Sequence, residues 1–219
     1  MVDPTDGGVE RFGPHGALGV VLVHEVFGRD DYVRSVAAAL ERAGYAAAAV
    51  DLYDGRYART LDEAFALRGA LTDDHVLARL DDARRTLAGR VAPGGRVGTL
   101  GFGMGGGYAL LAACRSPFGF CVDYYGRIER ADEVAGLTGP VLVILGGEDE
   151  RITPWAFGEL LPAAVRAQRH VAVELYPHVR SAFHRPGWEG HHAGTAEAAW
   201  RRTLAFLGDV RDGREASLK

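Results

Sequence analysis

Six short apolar runs punctuate the chain: LGVVLVH (18–24), YAAAAVDL (45–52), RVGTLGF (96–102), FGFCVDYY (118–125), PVLVILGG (140–147) and VAVELYP (171–177). They are apolar throughout rather than alternating, which is the pattern of strands buried on both faces. Longer segments of helical period lie between them. Asp30 is placed to cap a helix whose apolar positions Val33, Val36, Ala37 and Leu40 share one stripe, with Gly44 as its stop. Further helices are expected at about 74–89, 104–115 and 193–207. Thr153 and Pro154 read as a cap and a preset first residue before WAFGELLPAAVRAQ, which Pro162 kinks or splits. Strands alternating with helices predict a mostly parallel, doubly wound sheet with helices on both faces. No composition break marks a second domain or a large cap, so residues 1–219 are expected to form one α/β domain.

Composition narrows the function classes. The formal net charge is -4, and no basic run collects on the chain, which argues against nucleic acid or an anionic membrane as partner. A small-molecule substrate is the expected partner, and the oligomeric state is left open. The N-terminus lacks a basic start followed by an apolar stretch, and no apolar run approaches the ~20 residues that span a bilayer, so a cytoplasmic location is expected. Cys114 and Cys121 both fall in apolar segments and read as inert core thiols. His178, His184, His191 and His192 cluster in sequence, but their spacing matches no zinc pattern, so no metal or other cofactor is expected.

The candidate chemistry centres on GFGMGGG (101–107). Gly101, Gly103 and Gly106 fit a G-x-G-x-x-G dinucleotide turn, with Asp123 about 20 residues on as a ribose-binding carboxylate. That fingerprint normally opens the first βαβ unit, whereas here two predicted strands precede it. The competing reading is G-x-Nuc-x-G, the strand-to-helix elbow of a hydrolase, with Gly103 where the nucleophile stands. In an open α/β sheet the site lies at the carboxyl ends of the strands. Those ends read HEVFG (24–28), DLYDGR (51–56), DYYGR (123–127) and GGEDERITP (146–154).

Taken together these motifs resemble the dienelactone hydrolase family of the α/β-hydrolase fold, from about residue 17 to 208. The resemblance implies a Cys, Asp and His triad with a glutamate that modulates the cysteine. Glu25 matches the glutamate and Asp149 the triad aspartate. The histidine segment reads YPHVRSAFHRPGW here, which puts Ser181 in the histidine's place, and Gly103 stands in the cysteine's place. The Val26 and Met104 N–H groups match the family's oxyanion hole, and Arg185 matches a position that holds a substrate carboxylate.

Glycine adopts the positive φ of an elbow freely, so Gly103 keeps the turn while deleting the thiolate. An oxyanion hole without a nucleophile suits proton transfer beside a carbonyl. The expectation is therefore a cofactor-free acid/base enzyme, a cyclase, isomerase or lyase, in a setting such as secondary metabolism. Glu25 or His184 would move the proton and Arg185 would orient the substrate. His24 stands beside the site, and Tyr53, Tyr57, Tyr125 and Trp188 are candidate aromatic walls. Asp149, lacking a histidine, is expected to cap the next turn or to accept a hydrogen bond from Ser181. Two alternatives stand beside this one: hydrolysis by water activated directly by Glu25 or Asp149, and a pocket that binds a ligand without converting it.

Overall fold

A computed structural model describes residues 3–6, 9–12 and 16–214. The six apolar runs become strands β3 (Gly16–Val23), β4 (Ala46–Val50), β5 (Val91–Phe102), β6 (Cys121–Tyr124), β7 (Val141–Gly146) and β8 (Val171–Tyr176), all parallel to one another. Two strands that the hydrophobic pattern did not reveal, β1 (Asp3–Asp6) and β2 (Val9–Phe12), extend the sheet antiparallel beside β4. They are four residues each, too short to show a period. The eight strands run in the order β1-β2-β4-β3-β5-β6-β7-β8.

Alternate residues of the central strands feed two separate cores. Val20 and Leu22 pack with α1 (Asp31–Arg42) and α7 (Ala193–Arg211), whereas Val21 and Val23 pack with α3 (Asp73–Ala88) and α4 (Met104–Arg115). This is the two-sided burial that continuous apolar strands imply. Helix α1 buries the expected Val33, Val36, Ala37 and Leu40; Asp30 accepts from the Val33 N–H at 3.2 Å, and Gly44 closes it at φ +86°. Helix α2 (Leu61–Gly69) was not anticipated. It buries only Ala64 and rests on a Thr60/Glu63 capping box, so its residues carry little apolar periodicity.

The segment after β7 departs from its expected cap. Thr153 does not cap the helix: its hydroxyl donates to the Gly146 carbonyl at 2.7 Å, and α5 (Ile152–Trp155) starts one residue earlier. A π-helical turn (Ala156–Leu160) then leads into α6 (Leu161–Arg166). The wider turn accommodates Pro162, which has no N–H to give and whose ring would crowd the carbonyl four residues back. Cys114 and Cys121 are buried and unpaired by disulfide, and burial pushes both thiols up, Cys114 to about 12. No helix among the described residues is long and apolar enough to cross a membrane.

Candidate active site

Strand β5 runs into Gly103 at φ +55° and ψ -117°, and α4 starts at the next residue. The turn depends on backbones that nearly touch. A Cβ on Gly105 would sit 2.4 Å from the carbonyl oxygens of both Val23 and His24, so any side chain there would drive α4 off β3. Gly103 is different: a Cβ there would meet nothing nearer than Glu25 Oε1 at 3.8 Å. The barrier to a side chain at 103 is backbone strain, not lack of space.

The dinucleotide reading fails on Asp123, which is fully buried beneath the turn rather than exposed to a ligand. One of its oxygens accepts from the Gly126 N–H at 2.8 Å and lies 2.2 Å from where a Cβ on Gly106 would be; the other has no partner among the described residues. Burial raises its pKa to about 7. A carboxyl that binds its proton more tightly folded than unfolded stabilises the fold below the unfolded pKa, and that contribution is lost as pH rises through about 7. Asp123→Asn is therefore expected to gain stability relative to wild type above pH 7 and to lose that advantage near pH 4. Urea midpoints across pH check this, and a pH-independent difference would contradict it.

Glu25 lies two residues beyond the end of β3 and is buried in a cleft of about 1050 Å³. Its Oε2 accepts from Arg185 Nη1 at 3.2 Å. Burial raises the Glu25 pKa to about 7, with Arg185 pulling the other way. The Tyr125 hydroxyl lies beside this carboxyl without completing a hydrogen bond of good geometry. Tyr125 is held at φ +44°, its N–H donating to the Ile144 carbonyl at 2.8 Å.

His24 is fully buried and does not face the cleft, which corrects its expected place beside the substrate. Its Nε2 accepts from the Leu52 N–H at 3.1 Å, so Nδ1 carries the proton and donates to the Glu25 carbonyl at 2.6 Å. Burial lowers its pKa and keeps it neutral. The Gly28 N–H donates to the same carbonyl at 3.2 Å. In a trans peptide C=O and N–H point in opposite directions, so pinning the Glu25 carbonyl also aims the Val26 N–H. Tyr53 is likewise not a wall of the cleft. It is buried behind the Val26 and Met104 backbone, its hydroxyl donating to the Val26 carbonyl at 3.1 Å and reaching Met104 Sδ at 3.5 Å. Val26 and Met104 both line the cleft, and the first N–H of a helix such as α4 has no intrahelical acceptor.

The loop after β8 contributes Ser181, Arg185 and Trp188 to the cleft. The Ser181 hydroxyl donates to Asp149 Oδ2, and Asp149 Oδ1 accepts from the Arg151 and Ile152 N–H groups at 2.9 and 2.7 Å. Asp149 thus fills both roles expected of it. Arg185 is more committed than the expectation of a free carboxylate-binding fork allows. It bonds Glu25 and Asp30 and is sandwiched between Phe27 and Tyr32 at 4.7 and 5.1 Å. Trp188 packs on Phe27 with ring centroids 5.5 Å apart.

His184 does not reach the cleft, which corrects its expected role as proton shuttle. Its ring packs among Tyr32, Phe102, Tyr124 and Trp200, Nδ1 is 2.9 Å from the Tyr32 hydroxyl, and burial lowers its pKa to about 4. Tyr57 is exposed and outside the cleft. His192 caps α7, accepting from the Thr195 N–H at 3.2 Å. Among the described residues no three His, Cys, Asp or Glu side chains gather where they could hold a metal ion.

The cleft therefore brings together Glu25, Val26, Gly103, Met104, Tyr125, Asp149, Ser181, Arg185 and Trp188 from distant parts of the sequence. It also recruits Tyr108, Leu111, Ile128 and Ile152, which were not singled out from the sequence. The signal for two of them was present, since Met104, Tyr108 and Leu111 share one face of α4.

Comparison with known proteins covers nearly the whole chain. A family model described as dienelactone hydrolase family matches residues 10–211. A Bradyrhizobium protein named probable 2-oxo-3-(5-oxofuran-2-ylidene)propanoate lactonase is 30% identical over 203 residues, spanning 86% of this chain and 82% of that protein. The carboxymethylenebutenolidase of Pseudomonas putida is 27% identical, with 88% and 86% covered. Among solved structures, a dienelactone hydrolase-like promiscuous phosphotriesterase from metagenomic libraries superposes with a TM-score of 0.81 at 24% identity, over 95% of this chain and 96% of that one.

Proposed function

The chain belongs to the dienelactone hydrolase family, and from that premise we propose that it is a cofactor-free acid/base enzyme that moves a proton beside the carbonyl of a small molecule. The observation that carries this reading is the placement of Glu25. Its Oε1 stands 3.8 Å from the point where a nucleophile's Cβ would be, and burial raises its pKa to about 7. A carboxylate so tuned is a competent general base near neutral pH.

In this scheme the substrate carbonyl oxygen accepts from the Val26 and Met104 N–H groups. Glu25 takes the α-proton, the C–H bond breaks, and its electron pair moves into an enolate held by those donors. Such donors are worth roughly 3–4 kcal/mol to a developing oxyanion. The enolate then takes a proton at another carbon, expels a β-substituent, or attacks an electrophile in the same molecule. These are isomerisation, elimination and cyclisation, reactions suited to secondary metabolism. Glu25 rather than His184 carries the proton, because His184 lies outside the cleft.

A second reading has specific support in the hydrolytic names of the relatives and in the open space at Gly103. There, a water seated over Gly103 and deprotonated by Glu25 opens an ester or lactone without a covalent intermediate. Incubation of β,γ-unsaturated butenolides, which carry an sp3 α-carbon, in D2O, followed by NMR, separates the two. Deuterium entry at the α-carbon without ring opening is expected. Ring opening without exchange would shift the assignment to hydrolysis, and neither process across a broad panel would favour a pocket that only binds.

A further inference from the structure

Helix α4 leaves the elbow with one face turned to the cleft: Met104, Gly107, Tyr108 and Leu111 line it at helical spacing. Ile128, from the loop after β6, and Ile152, from the start of α5, line the same cleft. Leu111 and Ile128 are buried in the protein core, while Met104, Tyr108 and Ile152 are half-buried and pack against it, so this floor is firm. Gly107 lets the two sides approach, since a Cβ there would lie 2.4 Å from the Arg127 carbonyl.

From Met104 to Leu111 the helix rises about 10 Å. The whole cleft, at about 1050 Å³, is the size of sites that take drug-sized ligands rather than a single small ring. Charged residues on this side, Arg68 and Asp73 of α2 and α3 with Arg127 and Glu129 flanking Ile128, carry both signs, so they do not select an anionic tail.

We infer that the gutter along α4 is a subsite for an apolar tail, alkyl or aromatic, attached to the carbonyl compound whose reacting end lies at Gly103. The inference rests on the reading of the elbow as the reacting end. It assigns a substrate class: an extended carbonyl compound with an apolar arm reaching about 10 Å beyond the enolisable carbon.

Equilibrium binding of butenolides bearing n-alkyl chains from methyl to dodecyl, measured by calorimetry, tests it without requiring turnover. Affinity is expected to rise about fourfold per methylene while the chain lies in the gutter, then level off once it passes Leu111. Affinity independent of chain length would overturn the inference while leaving proton exchange at Glu25 untouched, because exchange is read separately on short substrates. Tyr108→Glu, at a half-buried helix position, is expected to abolish the gain for long chains and to spare the methyl compound. An unchanged chain-length slope in that variant would place the tail elsewhere and overturn the assignment. Failure of D2O exchange alongside an intact slope would remove the reaction but keep the tail site.

Discussion

Glu25→Gln is expected to lower turnover by about 10²–10⁴-fold while leaving substrate affinity within a few-fold. The amide keeps the shape and the contact with Arg185 but cannot accept a proton. In wild type, kcat/KM should rise with pH and level off above about 7, because the base is competent only when ionised and burial raises its pKa to about 7. The residual activity of the variant should lose that inflection. Arg185 supplies the opposing pull on Glu25, so Arg185→Gln should move the wild-type inflection to higher pH. A Glu25→Gln enzyme with ordinary turnover and an unchanged pH profile would remove Glu25 from the chemistry.

The second large effect is a change of reaction type. Gly103→Cys combined with Ser181→His is expected to install a covalent hydrolase. The space at 103 is open towards Glu25, and a thiol at the start of α4 would have its pKa lowered by the helix N-terminus. The side chain at 181 already faces Asp149, so a histidine there would be oriented as a base. The new side chain at φ +55° should cost about 1–3 kcal/mol of stability. Mass spectrometry after brief exposure to an activated ester should find an acyl group at residue 103 in the double variant, and wild type should show none. Acylation elsewhere, or none in a folded double variant, would mean that the elbow no longer presents its central residue to substrate.

Much of the fold was legible because its signals are local. Continuous apolar runs announced the parallel strands, of which the edge strand β8 is only partly buried, and the Asp30 cap and Gly44 stop framed α1. The exceptions lacked such a signal: β1 and β2 are too short to show a period, and α2 buries a single alanine. The elbow was legible for the same reason, since Gly101 and Gly105 answer to close backbone approach and Gly103 to its positive φ, all within a few residues of each other.

Side-chain direction in the site was another matter. Tyr53 and His24 follow apolar strands just as Glu25 does, yet both turn behind the cleft to hold the backbone that presents Val26. His184 and Arg185 are adjacent in sequence, but Arg185 reaches Glu25 and Asp30 while His184 sinks among aromatic rings. By itself the sequence determined the parallel sheet and the glycine turn centred on Gly103, because periodicity and backbone sterics are written in near neighbours. Only the tertiary structure decided which carboxylate and which donors share the cleft. Those orientations follow from hydrogen bonds and packing between residues on different elements, such as Tyr53 with Val26, Glu25 with Arg185 and Tyr32 with His184.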